Sequence, residues 1–184
     1  IRSGLIERID EQMERKKRGE EAYIGIKVNS IVDEAVIDAL YRASRAGVPV
    51  DLVVRGICGI RAGVKDLSEN IRVRSILGRY LEHSRIYCFG PEGSEEVWIG
   101  SADLMHRNLD RRVEALVRIT DEGQVAYLSK LLRTEASDDV TSWHLRGDGS
   151  WVRHTHGKKG RKLTDIQEVL MENASSRVKG RKVF

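Results

Sequence analysis

The chain holds 184 residues, 40% hydrophobic and 33% charged, which suits one domain of ordinary size with an appendage. No apolar run approaches the ~20 residues of a membrane helix, no signal peptide is visible, and two cysteines, Cys58 and Cys88, are too few for a disulfide framework or a zinc site. The net charge of +4 sits in the tail: residues 146–184 carry ten Lys/Arg and four Asp/Glu, so polyanion binding there competes with the plainer reading of a solvated end.

Ile1 in place of Met suggests a piece of a longer chain, and the cysteine usage suggests a reducing, cytoplasmic setting. "LIERIDEQMERKKRGEE" spaces Leu5, Ile6, Ile9 and Met13 as one helix face, with Gly19 as the stop. "AYIGIKVN" alternates as a strand. "DEAVIDALYRASRAG" predicts a helix capped by Ser30 or Asp33 and ended at Gly47. "VPVDLVV" is β-branched and nearly continuous, as a buried strand is. That β–α–β order implies parallel strands. Further strands are predicted at 71–76, 84–89, 95–100 and 112–119, and a packing helix at 121–135.

The expected fold is α/β: a mixed sheet with helices on its faces over residues 1–140. Residues 141–184 form a basic extension. It comprises a hairpin around Asp148-Gly149, a charged linker "KKGRK", a short capped helix "TDIQEVLMENAS" and a disordered end "SRVKGRKVF".

Arginine usage points to the chemistry. Between residues 55 and 112 there are nine Arg and one Lys, and Arg is favoured where a planar fork grips phosphate or carboxylate. Arg55, Arg85 and Arg112 stand at ends of predicted strands, where α/β sheets build sites. The alternative is that they pair with the eight acidic residues of the same window. Gly56, Gly59 and Gly63 follow Arg55 and are expected to let backbone amides approach a ligand.

His83 opens a second cluster. The order is "HSR", the strand "IYCF", a turn, "VWIGSAD" and "RNLDRRVE". A His can attack phosphorus or pass a proton to a leaving oxygen, and the cation two residues on can hold a nonbridging oxygen. Gly100, Ser101 and Ala102 are expected to leave room for a ligand, and Glu114 to orient the imidazole. This order resembles the phospholipase D superfamily half-site, His-x-Lys, strand, Gly-Ser-x-Asn. Here Arg85 replaces Lys and Asp103 replaces Asn, which argues against phosphodiester hydrolysis.

Both departures are similar to one branch. "IKVNSIVDEAVIDALYRASRAGVPVDLVVRGICGIRAGV", "LSENIRVRSILGRYLEHSRIYCF" and "EVWIGSADLMHRNLDRRVEAL" resemble the large polyphosphate kinase family from the first helix to about residue 135. The 28-residue interval from Arg55 to His83 and the 29 from His83 to Arg112 fit its pattern. The resemblance implies reversible transfer of the ATP γ-phosphate to inorganic polyphosphate, in a parent that uses ATP and Mg2+ and forms homo-oligomers. It further implies two phospholipase D-like halves, with "LEHSR" matching the second. His83 is then a helper and not the phosphohistidine, Arg55 and His83 bind ATP phosphates, and Arg112 lines the polyphosphate channel. The N-terminal domain, the first catalytic half and the magnesium-linked residues are absent from this sequence, so no kinase turnover is expected of it alone. The alternatives are a homodimeric phosphodiesterase or nuclease, and a non-catalytic polyanion-binding module.

Overall fold

The computed structural model describes residues 1–178. Helix α1 (Arg2–Lys17) leads into strand β1 (Ile24–Val28), helix α2 (Glu34–Arg45), and strands β2 (Val50–Val54) and β3 (Ile71–Ser75). Strands β4 (Ile86–Phe89) and β5 (Glu96–Gly100), short helix α3 (His106–Arg111), strand β6 (Leu116–Ile119) and helix α4 (Glu122–Glu135) follow. The chain closes with strands β7 (Ser142–Leu145) and β8 (Trp151–His154) and helix α5 (Ile166–Val178).

Local chemistry sets the helix ends. The Asp33 carboxylate caps α2 by accepting from the Val36 amide at 3.1 Å. Past its C-terminus Gly47 takes φ +84°, letting the Gly47 and Val48 amides reach the Ser44 and Ala43 carbonyls, a Schellman closure. Gly19 does the same for α1, where the Gly19 and Glu20 amides reach Lys16 and Arg15.

The eight strands form one sheet in the order β6-β5-β4-β1-β2-β3-β7-β8. β1, β2 and β3 run parallel, and the remaining pairings are antiparallel. All five residues of β1 and of β2 are buried, because helices cover both faces. On one face Ile24, Ile26, Val28, Leu52 and Val54 pack with Leu5 and Ile9 of α1 and Val36, Leu40 and Ala43 of α2. On the other, Tyr23, Val53, Ile86 and Cys88 pack with Leu132 of α4 and Ile166 of α5. Each such aliphatic side chain contributes roughly 1.5–3 kcal/mol when fully buried.

The expected strands and helices are present, with shorter ends. The predicted 112–119 strand is paired only over Leu116–Ile119, because the ladder to β5 ends where Gly100 meets Leu116. Residues 141–178 are continuous with the rest: β7 pairs with β3, and Leu163 and Ile166 are buried. Of the segment expected to be disordered, residues 176–178 belong to α5, and the remainder lies outside the described residues.

Candidate active site

Strand polarity gathers the chemistry at one edge of the sheet. The C-terminal ends of β1 and β2 release Asn29 and Arg55 there. Antiparallel β4 starts at this edge, since Ile86 faces Lys27, which puts His83 and Arg85 just before it. β5 ends and β6 begins at the same edge, which adds Ser101, Asp103, Arg112 and Glu114. Residues scattered over 86 positions of sequence are thus delivered to one edge of the sheet by strand order and direction.

Arg55 is half-buried and donates from Nε to Asn29 Oδ1 at 2.7 Å. Its Nη1 is buried with no hydrogen-bond partner. A buried donor left unpaired costs about 1–3 kcal/mol, so such a group in a native structure calls for an acceptor.

His83 is exposed. Its Nδ1 lies 3.2 Å from Arg85 Nη1, and its carbonyl accepts from the same nitrogen at 3.0 Å. The rest of the Arg85 fork grips Asp103: Nε reaches Oδ1 at 3.2 Å and Nη2 reaches Oδ2 at 2.9 Å. Asp103 Oδ1 also accepts from the Asn29 amide at 2.7 Å and the Ser30 amide at 3.3 Å. Burial alone would raise the Asp103 carboxyl, but the Arg85 and Asn29 hydrogen bonds outweigh it and hold the group below the usual carboxylate range. The two replacements seen in the sequence are therefore partners of one another.

Glu114 has other company than expected. It accepts from the Ser101 hydroxyl, from Asn108 Nδ2 at 2.7 Å, and sits 3.4 Å from Arg112 Nε. The Ser101 and Asn108 hydrogen bonds and the Arg112 charge hold its carboxyl below the ordinary range. The expected Glu114–His83 contact is replaced by this arrangement, while the ring's contact is with Arg85. The Arg112 side chain is 54% exposed, whereas that of Glu114 is 2% exposed.

The small residues serve packing rather than ligand space. A Cβ on Gly100 would lie 2.1 Å from the Ala115 carbonyl, so glycine there allows β5 and β6 to close. Ala102 is fully buried, and its carbonyl accepts from Tyr87 Oη at 2.8 Å. The amides of Gly56, Gly59 and Gly63 are likewise spent, on the Asn29, Ile31 and Ser68 carbonyls, and form no open cradle.

Asn29, Asn108 and the buried Lys27 were not anticipated. Lys27 donates to Glu82 at 2.7 Å and to Glu135 at 2.5 Å, which ties the residue beside His83 to the sheet. Asn29 had a legible signal, since it follows the C-terminal end of a parallel strand as Arg55 does. His106 lies beside Asp33 and Asp110, but those carboxylates hold Arg2, at 2.8 and 2.6 Å. Cys58 is half-buried and Cys88 buried; burial pushes the Cys88 thiol up to about 11, as befits an inert packing group.

Residues 1–166 match the family described as polyphosphate kinase C-terminal domain 2. The polyphosphate kinase of Streptomyces coelicolor is 58% identical over 172 residues, which is 94% of this chain and 23% of that protein. The Mycobacterium leprae polyphosphate kinase is 50% identical over 181 residues, covering 96% of this chain and 24% of its own length. The chain thus spans about a quarter of the length of the curated relatives it matches. The crystal structure of polyphosphate kinase from Porphyromonas gingivalis superimposes with a TM-score of 0.84 at 35% identity, over 97% of this chain and 27% of that one. A phospholipase D family member, Nuc from Salmonella typhimurium, has a TM-score of 0.52 at 16% identity over 73% of this chain and 85% of its own, a likeness of fold alone.

Proposed function

Because the chain belongs to the polyphosphate kinase C-terminal domain 2 family, we propose that it supplies one half of a site that reversibly moves the γ-phosphate of ATP onto the end of inorganic polyphosphate. The observation that carries this reading is the buried, unpartnered Nη1 of Arg55 at an edge lined by His83, Arg85 and Arg112. A phosphate oxygen would complete that guanidinium. Phosphoryl transfer asks for positioning and charge stabilisation more than covalent help, and cations at a strand edge provide both.

In this reading Arg55 holds an ATP phosphate oxygen. His83, exposed and backed by Arg85, exchanges a proton with the terminal phosphate or stabilises its charge. Arg112, outermost, guides the polyphosphate chain. Arg85 acts mainly as a strut, since Asp103 occupies its fork. Ser101 and Glu114 fix the approach of Arg112.

These residues do not fit Mg2+. The Asp103 and Glu114 oxygens are engaged by Arg85, backbone amides, Ser101 and Asn108, which leaves neither carboxylate free to offset the Arg55, Arg85 and Arg112 charges beside a dication. Magnesium in the full-length parent would be held by residues outside this chain. The parent's N-terminal and first catalytic domains, ATP or ADP, and polyphosphate are the partners this half requires, within a cytoplasmic homo-oligomer.

The test is ATP-dependent polyphosphate synthesis by the full-length parent. His83→Ala lowers kcat by roughly 100-fold or more with the fold retained. Arg55→Ala raises KM for ATP about ten-fold, and the 184-residue chain alone makes no polymer. Wild-type turnover by His83→Ala, or synthesis by the isolated chain, would overturn the reading.

A further inference from the structure

The loop that delivers His83, residues 76–85, has no regular structure of its own, yet it must hold an exposed imidazole in place. One side chain from the far end of the chain does much of that work. Gln167 is buried in the first turn of α5. Its Oε1 accepts from the Tyr80 amide at 2.8 Å, and its Nε2 donates to the Tyr80 carbonyl at 2.8 Å. A carboxamide that meets both backbone groups of one residue imitates a neighbouring strand. The same Nε2 donates to Glu82 Oε1 at 2.6 Å, and Glu82 Oε2 accepts from Lys27 of β1. The residue immediately before His83 is thereby held from two sides, by the sheet and by α5.

The anchor is seated by the packing of α5. Ile166 and Leu170 pack into the core cluster that contains Leu132, Val53 and Ile86. The loop is shaped to receive it: a Cβ on Gly78 would lie 2.5 Å from Gln167 Oε1 and 2.9 Å from Cδ, so glycine permits the close pass. Moving the carboxamide aside would break its hydrogen bonds to Tyr80 and Glu82. Tyr80 Oη adds a contact to Met171 Sδ at 3.3 Å. Gln167 is the first residue beyond the family match, which ends at 166.

We infer that Gln167 is a positioning residue for His83, acting through Tyr80 and Glu82, and that the C-terminal helix is part of the phosphotransfer machinery. The inference rests on the role proposed for His83. Displacement of a reacting group by about 1 Å can cost on the order of 100-fold in rate, and the loss falls on turnover, not on ground-state binding.

The experiment compares Gln167→Ala, Gln167→Glu and His83→Ala in the full-length parent, reading kcat, KM for ATP and Tm. Gln167→Ala is expected to lower kcat ~10-fold or more, with KM for ATP within about two-fold and Tm shifted by only a few degrees. Gln167→Glu sets a carboxylate against Glu82 and loses the same activity at pH 8. It recovers toward pH 6, relative to wild type, as the new carboxyl protonates and donates to Glu82 again. Wild-type kcat in Gln167→Ala overturns the inference. So does a loss of kcat that follows Tm in both variants with no recovery at lower pH, since that is a folding role only. His83→Ala separates the two levels: wild-type turnover there removes the proposed role of His83 itself, whereas its loss beside an active Gln167→Ala removes only the role of Gln167.

Discussion

Arg85 and Asp103 make sense only as a pair. A superfamily half-site with Lys and Asn offers a point charge and a neutral amide; this chain offers a planar fork and a carboxylate that fits it. The side chains are 10% and 7% exposed, so neither charge is well solvated. Removing one partner strands the other. Asp103→Ala is expected to destabilise the fold by about 3–5 kcal/mol in urea unfolding, because it leaves a guanidinium unpaired and the Asn29 amide without its acceptor. Asp103→Asn should cost distinctly less, since its carbonyl oxygen still accepts from that amide. Equal losses in the two variants would show that the carboxylate charge facing Arg85, and not the retained acceptor for the Asn29 amide, governs the site.

At the scale of elements, the β7–β8 hairpin carries a pH response. His144 of β7 stacks on His154 of β8 with ring centroids 3.9 Å apart, beside the buried Arg74 of β3. Burial first, then the Arg74 and His154 charges, push the His144 imidazole down to about 4. Asp138, which pairs with Arg74, opposes that shift only partly. An unfolded histidine takes up its proton near pH 6.5, so between that value and about 4 the unfolded chain binds more protons than the folded one. Stability from this group is therefore present above pH 6.5 and lost as pH falls toward 4. Thermal melts of wild type and His144→Gln should show wild type losing stability relative to the variant across that window. Parallel Tm curves would place the ring in solvent.

For the whole molecule, residues 141–178 are structural. β7 extends the sheet from β3, and Leu163 and Ile166 are 5% and 4% exposed. A chain ending at residue 140 would uncover Ile76 and Ile86 and is expected to bind a hydrophobic dye and lose its cooperative melt. The informative truncation ends at Val178, which removes Lys179, Arg181 and Lys182 but keeps α5. Isothermal titration with long-chain polyphosphate should then show affinity retained by that chain and weakened about ten-fold or more by Arg55→Ala/Arg112→Ala. The opposite pattern would make the basic end the polyanion binder. Among the described residues no helix is long and apolar enough to cross a membrane.

Read alone, the sequence determined the order of helices and strands, the parallel pairing of β1 with β2, and which residue types crowd the strand ends at the candidate site. Periodicity, capping and glycine stops are local, so "DEAVIDALYRASRAG" dictates α2 and its Asp33 cap wherever it is placed. Even the Arg85 and Asp103 departures were visible as departures. Only the tertiary structure decided who meets whom. Glu114 turns to Ser101 and Asn108 because the end of the β5–β6 ladder fixes its direction. Gly100 admits a neighbouring carbonyl and not a ligand for the same reason. Gln167 reaches the His83 loop, 87 residues away at Tyr80, because α5 packs on the face shared with α4. Such contacts are set by register and by the burial of apolar faces across the whole sheet, and no window of sequence contains them.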